Sequence, residues 1–287
     1  MLERLARPFA RLSNATARVV DAFFRALGRP GKLFQDLLNG SWLGHSLHPV
    51  LVDVVVGGTT VALLLQLLTW LTVADVRTAL VWTLALTWLA AISAIVTGLT
   101  DFKDTTAGDE RNMAGLHGLI NIVATLGLIG AFVSLLAAAD GLAAWLIVAA
   151  FLILSVGAFI GGHLVFKYGY MVNRNAFARG KRAKEFTAVL PVSVLSDATP
   201  TQAMLGATAL VVVRRGDLVF ALKDTCSHAG AALSEGHLEG DTIVCPSHAS
   251  AFRLSDGAVR HGPAATRQVA YRARISDGQV EVQGPIG

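Results

Sequence analysis

Four long apolar stretches dominate the first part of the chain, at about residues 50–73, 78–99, 113–139 and 142–166. Each exceeds the ~20 residues needed to span a hydrocarbon core. The breaks between them (Ala74 to Arg77, Thr100 to Asn112, Asp140-Gly141) hold nearly all the charge of the region. The pattern predicts four transmembrane helices joined by tight hairpins. From Phe186 onward the apolar residues alternate instead. Leu210–Val213 and Leu218–Leu222 flank Arg214-Arg215-Gly216-Asp217, a hairpin signature, and Ile243–Cys245 and Ala251–Leu254 bracket a further loop. Asp256-Gly257 and Asp277-Gly278 are turn signals. The expected fold is a membrane all-α four-helix bundle followed by an all-β domain, a small antiparallel barrel or sandwich. The domains read as a basic, partly amphipathic segment 1–45, the bundle 46–170, a basic linker 171–186 and the β domain 187–287.

Composition agrees. Of 287 residues, 53% are hydrophobic and only 15% charged, and the mean hydropathy is +0.56, too apolar for a soluble protein. The basic residues then give an orientation. Arg4, Arg7, Arg11, Arg18, Arg25, Arg29 and Lys32 precede the first run. Lys103 and Arg111 lie in the second connection, and Lys167, Arg174, Arg179, Lys181, Arg182 and Lys184 follow the fourth run. An even number of spans puts all of these on one side, with only Arg77 opposite. The positive-inside rule places both termini and the β domain in the cytoplasm. Within the first 45 residues, Val19, Val20, Phe23, Phe24 and Leu27 share one helical face, which suits either a helix lying on the inner leaflet or a plain basic tail. No signal-peptide pattern is present. Residues 173–185 read as a basic stretch that meets anionic headgroups. The net charge of +4 belongs to these flanks and does not point to nucleic acid.

The chemistry is concentrated in two arms, Cys226-Ser227-His228 and Cys245-Pro246-Ser247-His248, which contain the only two cysteines. A common zinc finger groups two Cys in one arm and two His in the other. Mixed arms suit a two-iron cluster with one iron held by two Cys and the other by two His. The C-x-H, C-x2-H pattern resembles the Rieske [2Fe–2S] domain. Gly230, Pro246, Ser250, Phe252, Asp256-Gly257 and Gly262-Pro263-Ala264 stand where that family has its flanking residues. The resemblance implies the Rieske fold, the ligands Cys226, His228, Cys245 and His248, and one-electron transfer at about −150 to +300 mV. It also implies that Ser250 matches a serine bonding a cluster sulfur in high-potential members. Phe252 replaces their tyrosine, Ala249 their usual glycine, and their two bracing cysteines are missing, Ser247 holding one of those places. An intermediate or low potential follows, with no disulfide, in keeping with a reducing compartment.

Within the bundle, His48, Asp53, Asp101, His117 and His163 fall at the cytoplasmic ends of the runs and form one polar layer; such groups are costly in a membrane and mark sites. The segment 41–170 is similar to an uncharacterised bacterial four-helix membrane family opening with L-H-P-x-L-V, here Leu47 to Val52. Three readings of the layer stand open. A b-type haem takes two axial histidines, such as His117 and His163. A quinone pocket pairs a His with a carboxylate. Alternatively His and Asp merely bond one another and the helix ends. Gly157 and Gly161 read as a close-packing G-x-x-x-G, and His45, His237 and His261 as interfacial or surface residues. The expected function is a membrane-tethered carrier passing single electrons between a membrane redox partner and a cytoplasmic one. The other readings are a donor module for a membrane-associated oxygenase and a redox sensor.

Overall fold

The computed structural model describes residues 2–71, 75–177 and 183–286. The C-terminal end of the first apolar run (Val73) and Arg179, Lys181 and Arg182 of the basic stretch lie outside these residues. The chain folds as two compact units: residues 1–31 with 46–170, and residues 32–45 with 171–287.

In the first unit, α1 (Leu2–Ala6), α2 (Ala10–Ala26) and α3 (Gly28–Asn39, whose first turn belongs here) precede the four long helices α4 (Leu47–Trp70), α5 (Arg77–Phe102), α6 (Asp109–Leu136) and α7 (Asp140–Tyr168). These have 24 to 29 residues and are long and apolar enough to cross a membrane. At 1.5 Å per residue the shortest measures about 36 Å, more than a ~30 Å hydrocarbon core. They start earlier than the apolar runs alone suggest, because polar residues suit a helix's first turn. Pro49 is tolerated near the start of α4, and Asp109 and Glu110 complement the dipole at the start of α6. The helix interiors meet through small side chains. Ala62, Ala131, Ala143 and Ala150 interleave with Leu80, Leu84, Leu128 and Ile147 in one buried cluster, while Trp82, Leu86, Leu126, Trp145, Leu152 and Phe159 face outward.

The N-terminal helix forms, but the predicted apolar stripe is split. Ser13, Ala17 and Phe24 are buried, and α2 meets α6 so closely that a methyl group at Gly115 would lie 2.1 Å from Ser13 Oγ. Val19, Phe23 and Leu27 remain exposed.

Apart from residues 32–45 and two short 3-10 turns (Val192–Val194 and Leu233–Glu235), the described residues of the second unit form β-strands and their connections. A six-stranded antiparallel sheet has the order β1-β10-β9-β4-β3-β2, built from Ala183–Pro191, Gln279–Ile286, Ala270–Ser276, Leu218–Lys223, Thr208–Arg215 and Thr201–Leu205. A four-stranded sheet runs β5 (His237–Glu239), β6 (Thr242–Val244), β7 (Ala251–Arg253) and β8 (Val259–His261) in sequence. Leu210, Val212, Val280 and Val282 fill one core. Val211, Val213, Leu222, Ile243 and Phe252 fill another, because alternate residues of β3 point to opposite faces. The second core reaches up to both cysteines.

Candidate metal centre

The two Cys–His arms are loops of the same build. The first follows β4 and the second joins β6 to β7. In each, the cysteine N–H donates to the carbonyl five residues on: Cys226 to Ala231 and Cys245 to Ser250, both at 2.9 Å. In each, the residue four places on returns a bond to the cysteine carbonyl, Gly230 at 3.0 Å and Ala249 at 3.1 Å. That residue must turn left-handed, with φ of +87° at Gly230 and +58° at Ala249. A glycine accepts this freely, whereas an alanine is strained by it.

The loops meet tip to tip. The Cys226 and Cys245 side chains lie within hydrogen-bonding reach of one another and are 1% and 4% exposed. The imidazoles of His228 and His248 lie edge to face with centroids 5.0 Å apart, and both are only half-buried. Sulfur therefore sits inside and imidazole outside. Backbone N–H groups of His228 and Ala229 point at the first sulfur, those of Ser247 and His248 at the second. Between the thiols, the shared hydrogen bond and burial push Cys226 up, while that same bond, helped by the Ser247 and His248 amides, brings Cys245 down to about 6. Donors converging on sulfur fit anionic thiolates and the bridging sulfides of a cluster. Among the described residues no three His, Cys, Asp or Glu side chains converge on one point. The four pair instead, thiol with thiol and ring with ring, which suits two irons with two protein ligands each better than one tetrahedral zinc.

The support behind the loops is where sequence reasoning was incomplete. Gln268, 2% exposed, accepts from Ser227 N–H (3.0 Å) and the Asn175 amide (3.2 Å), and donates to the carbonyls of Thr225 (2.7 Å) and Lys223. One amide side chain thus clamps the first loop from below. Asn175 and Arg174 add bonds to Thr225 and Ser227, so this part of the expected basic linker packs on the first loop. Asp224 holds Ser234 and Gln202 at 2.7–3.0 Å. Behind the second loop, Ser250 Oγ accepts from Ala264 N–H at 3.1 Å. Gly262 presses its backbone on Ser250, where a Cβ would lie 2.6 Å from Ser250 Cα. His261, expected at the surface, is instead bonded through Nδ1 to Asp36 of α3 at 2.8 Å, and the same carboxylate accepts from Gly262 N–H at 3.0 Å. A lone Gln, Asn or Asp in a loop carries no sequence signal that separates it from a solvated neighbour.

The membrane layer does not stay together. His163 Nε2 faces Glu3 at 3.3 Å, Glu3 also pairing with Lys167. Asp101 is buried and bonded by Ser46 Oγ at 2.8 Å, and Asp53 is exposed. Only His48 and His117 face one another, with ring centroids 6.5 Å apart.

Two cysteines and two histidines presented by twin loops of a small β domain define an iron–sulfur electron-transfer class. Comparison with known proteins gives the family. Residues 185–273 match the Rieske [2Fe-2S] domain, and residues 44–174 match Predicted membrane protein (DUF2231). Ferredoxin CarAc of Metapseudomonas resinovorans is 40% identical over 80 residues, 28% of this chain and 75% of that protein. The anthranilate 1,2-dioxygenase ferredoxin subunit of Burkholderia cepacia is 40% identical over 83 residues, 29% of this chain and 77% of its own. A solved complex of reduced oxygenase and oxidized ferredoxin in carbazole 1,9a-dioxygenase shares 33% identity over 36% of this chain and 97% of that one, with a TM-score of 0.34. The chain belongs to the Rieske [2Fe-2S] family through its C-terminal domain, joined to a membrane domain of the DUF2231 family. It is an electron-transfer Rieske protein.

Proposed function

We propose that this protein is a membrane-tethered Rieske ferredoxin, in which Cys226 and Cys245 hold the inner iron and His228 and His248 the outer one. The single observation carrying this is the meeting of the two loops, buried sulfur beneath half-buried imidazole, in one chain with four membrane-length helices. The bound cluster supplies a one-electron couple. The chain's own part is to exclude water from the sulfurs, aim amide N–H groups at them, and present two imidazoles as the edge through which a partner is met. The natural partner is a redox protein of the oxygenase type, since one relative named above is the ferredoxin subunit of anthranilate 1,2-dioxygenase. Tethering would hold the donor where a lipophilic substrate dissolves. The charge distribution supports a cytoplasmic Rieske domain.

EPR of the purified full chain after mild reduction tests the assignment. Cys226→Ser and His248→Ala should each abolish the Rieske signal, and a variant that keeps it overturns the ligand set. Protease added to intact cells should leave the β domain uncut; cleavage there would invert the topology.

A further inference from the structure

The bundle is built from two similar hairpins. In α4–α5, Leu47-His48 near the start of one helix faces the second, where His48 Nδ1 lies 2.8 Å from the Ala94 carbonyl. Gly98, one turn on, leaves room for the ring: a Cβ there would lie 2.8 Å from His48 Cε1. In α6–α7 the same parts return. His117, after Leu116, places Nδ1 2.9 Å from the Gly157 carbonyl. A Cβ at Gly161, again one turn on, would lie 3.0 Å from His117 Cε1. The His-to-carbonyl bond and its following glycine therefore occur twice.

These bonds have a chemical consequence. A carbonyl only accepts, so each Nδ1 carries the proton and each Nε2 keeps its lone pair. Asn121 does not alter this, because its amide is spent mainly on the His117 carbonyl at 2.7 Å and stands farther off, 3.2 Å from Nδ1 and 3.4 Å from Nε2, than the Gly157 carbonyl that Nδ1 meets at 2.9 Å. Fixing a histidine through Nδ1–H to a carbonyl is how metal-ligating histidines are oriented. The two rings come together from different hairpins, at 6.5 Å between centroids and 82° between planes. Two nitrogens each about 2 Å from one metal put the ring centroids on the order of 6 Å apart.

The occupant follows from what is missing around the pair. No third His, Cys, Asp or Glu joins them among the described residues, and Asp53, Asp101 and His163 are turned to other partners or outward. Two neutral donors do not complete the shell of a free zinc or iron ion. A metal arriving with its own four equatorial nitrogens needs just two axial imidazoles. Around this level the helices offer Ala91, Ala94 and Ala124 beside Val55 and Leu154, an apolar lining of the kind that the faces of a flat macrocycle contact.

We propose that His48 and His117 are the axial ligands of a b-type haem bound within the bundle, a centre separate from the Rieske cluster. The pairing differs from the sequence expectation of His117 with His163, since His163 is engaged with Glu3.

The test is titration of the full-length, detergent-purified chain with hemin, followed by visible spectra and EPR of both oxidation states, with the Rieske signal recorded on the same sample. Wild-type protein should bind one haem in a low-spin state. His48→Ala and His117→Ala should each weaken binding by at least roughly 10–100-fold or turn the haem high-spin, and added imidazole should restore the low-spin spectrum. His163→Ala should bind as wild type. Wild-type protein with a full cluster signal that takes up no haem overturns the proposal. Low-spin haem retained when both histidines are replaced also overturns it, marking the binding as adventitious. Because the cluster signal is read independently, failure of the haem site and failure of the Rieske assignment cannot be confused.

Discussion

Replacing Ala249 by glycine should make the cluster harder to remove. The two ligand loops have the same hydrogen-bonded frame, yet the left-handed position is a glycine in the first and an alanine, at φ +58°, in the second. An L-residue there costs about 1–2 kcal/mol. Glycine regains that strain but loses about 0.5–1 kcal/mol to the greater freedom of the unfolded chain. Ala249 is exposed, so its methyl group adds little burial. The net expectation is a gain of about 0.5–1 kcal/mol, up to roughly a fivefold change in the closed-to-open ratio of the loop. The assay is bleaching of the Rieske visible absorption in urea, since cluster loss is a rate and not an equilibrium. Ala249→Gly should bleach more slowly by up to about fivefold, and Gly230→Ala, imposing a side chain at φ +87°, should bleach faster. If Ala249→Gly bleaches as fast as wild type or faster, the strain argument is wrong.

Three further perturbations follow from the second loop. Ser250→Ala leaves the Ala264 N–H without its acceptor, so stability should fall by about 1–3 kcal/mol; protein-film voltammetry should also show a lower cluster potential, and an unchanged potential would mean the hydroxyl points away from the sulfurs. Gly262→Ala drives a Cβ into the Ser250 and Ala249 backbone at 2.6–2.9 Å, costing about 2–5 kcal/mol, and iron analysis should find most of the cluster lost. Asp256 is held well below the usual carboxylate range by the Arg253 guanidinium, with help from the Ala258 amide. A depressed folded value means that its stabilisation is present above about pH 4 and fades as pH falls below that. Asp256→Asn should therefore flatten the acid limb of a urea-stability profile, by less than about 1 kcal/mol because the pair is partly solvated; an unchanged limb would place the acid sensitivity elsewhere.

Much of this protein was determined by local sequence. Twenty or more apolar residues in a row have no stable place but a membrane or a core, so the four spans are legible from composition and length. Alternation made the β domain legible, and the mixed Cys–His arms carried their chemistry in their residue types. What the sequence could not carry is which distant groups share a neighbourhood. Gln268 lies 41 residues from Ser227 and Asp36 lies 225 from His261, and neither pairing leaves a periodic or compositional trace. The polar layer of the bundle shows the same limit. Helical spacing set the depth of His48, Asp53, Asp101, His117 and His163, but not the rotation of each helix about its axis. Packing of Ala and Gly faces decides that rotation, and it turned His48 toward His117, left Asp53 outward, and gave His163 to Glu3.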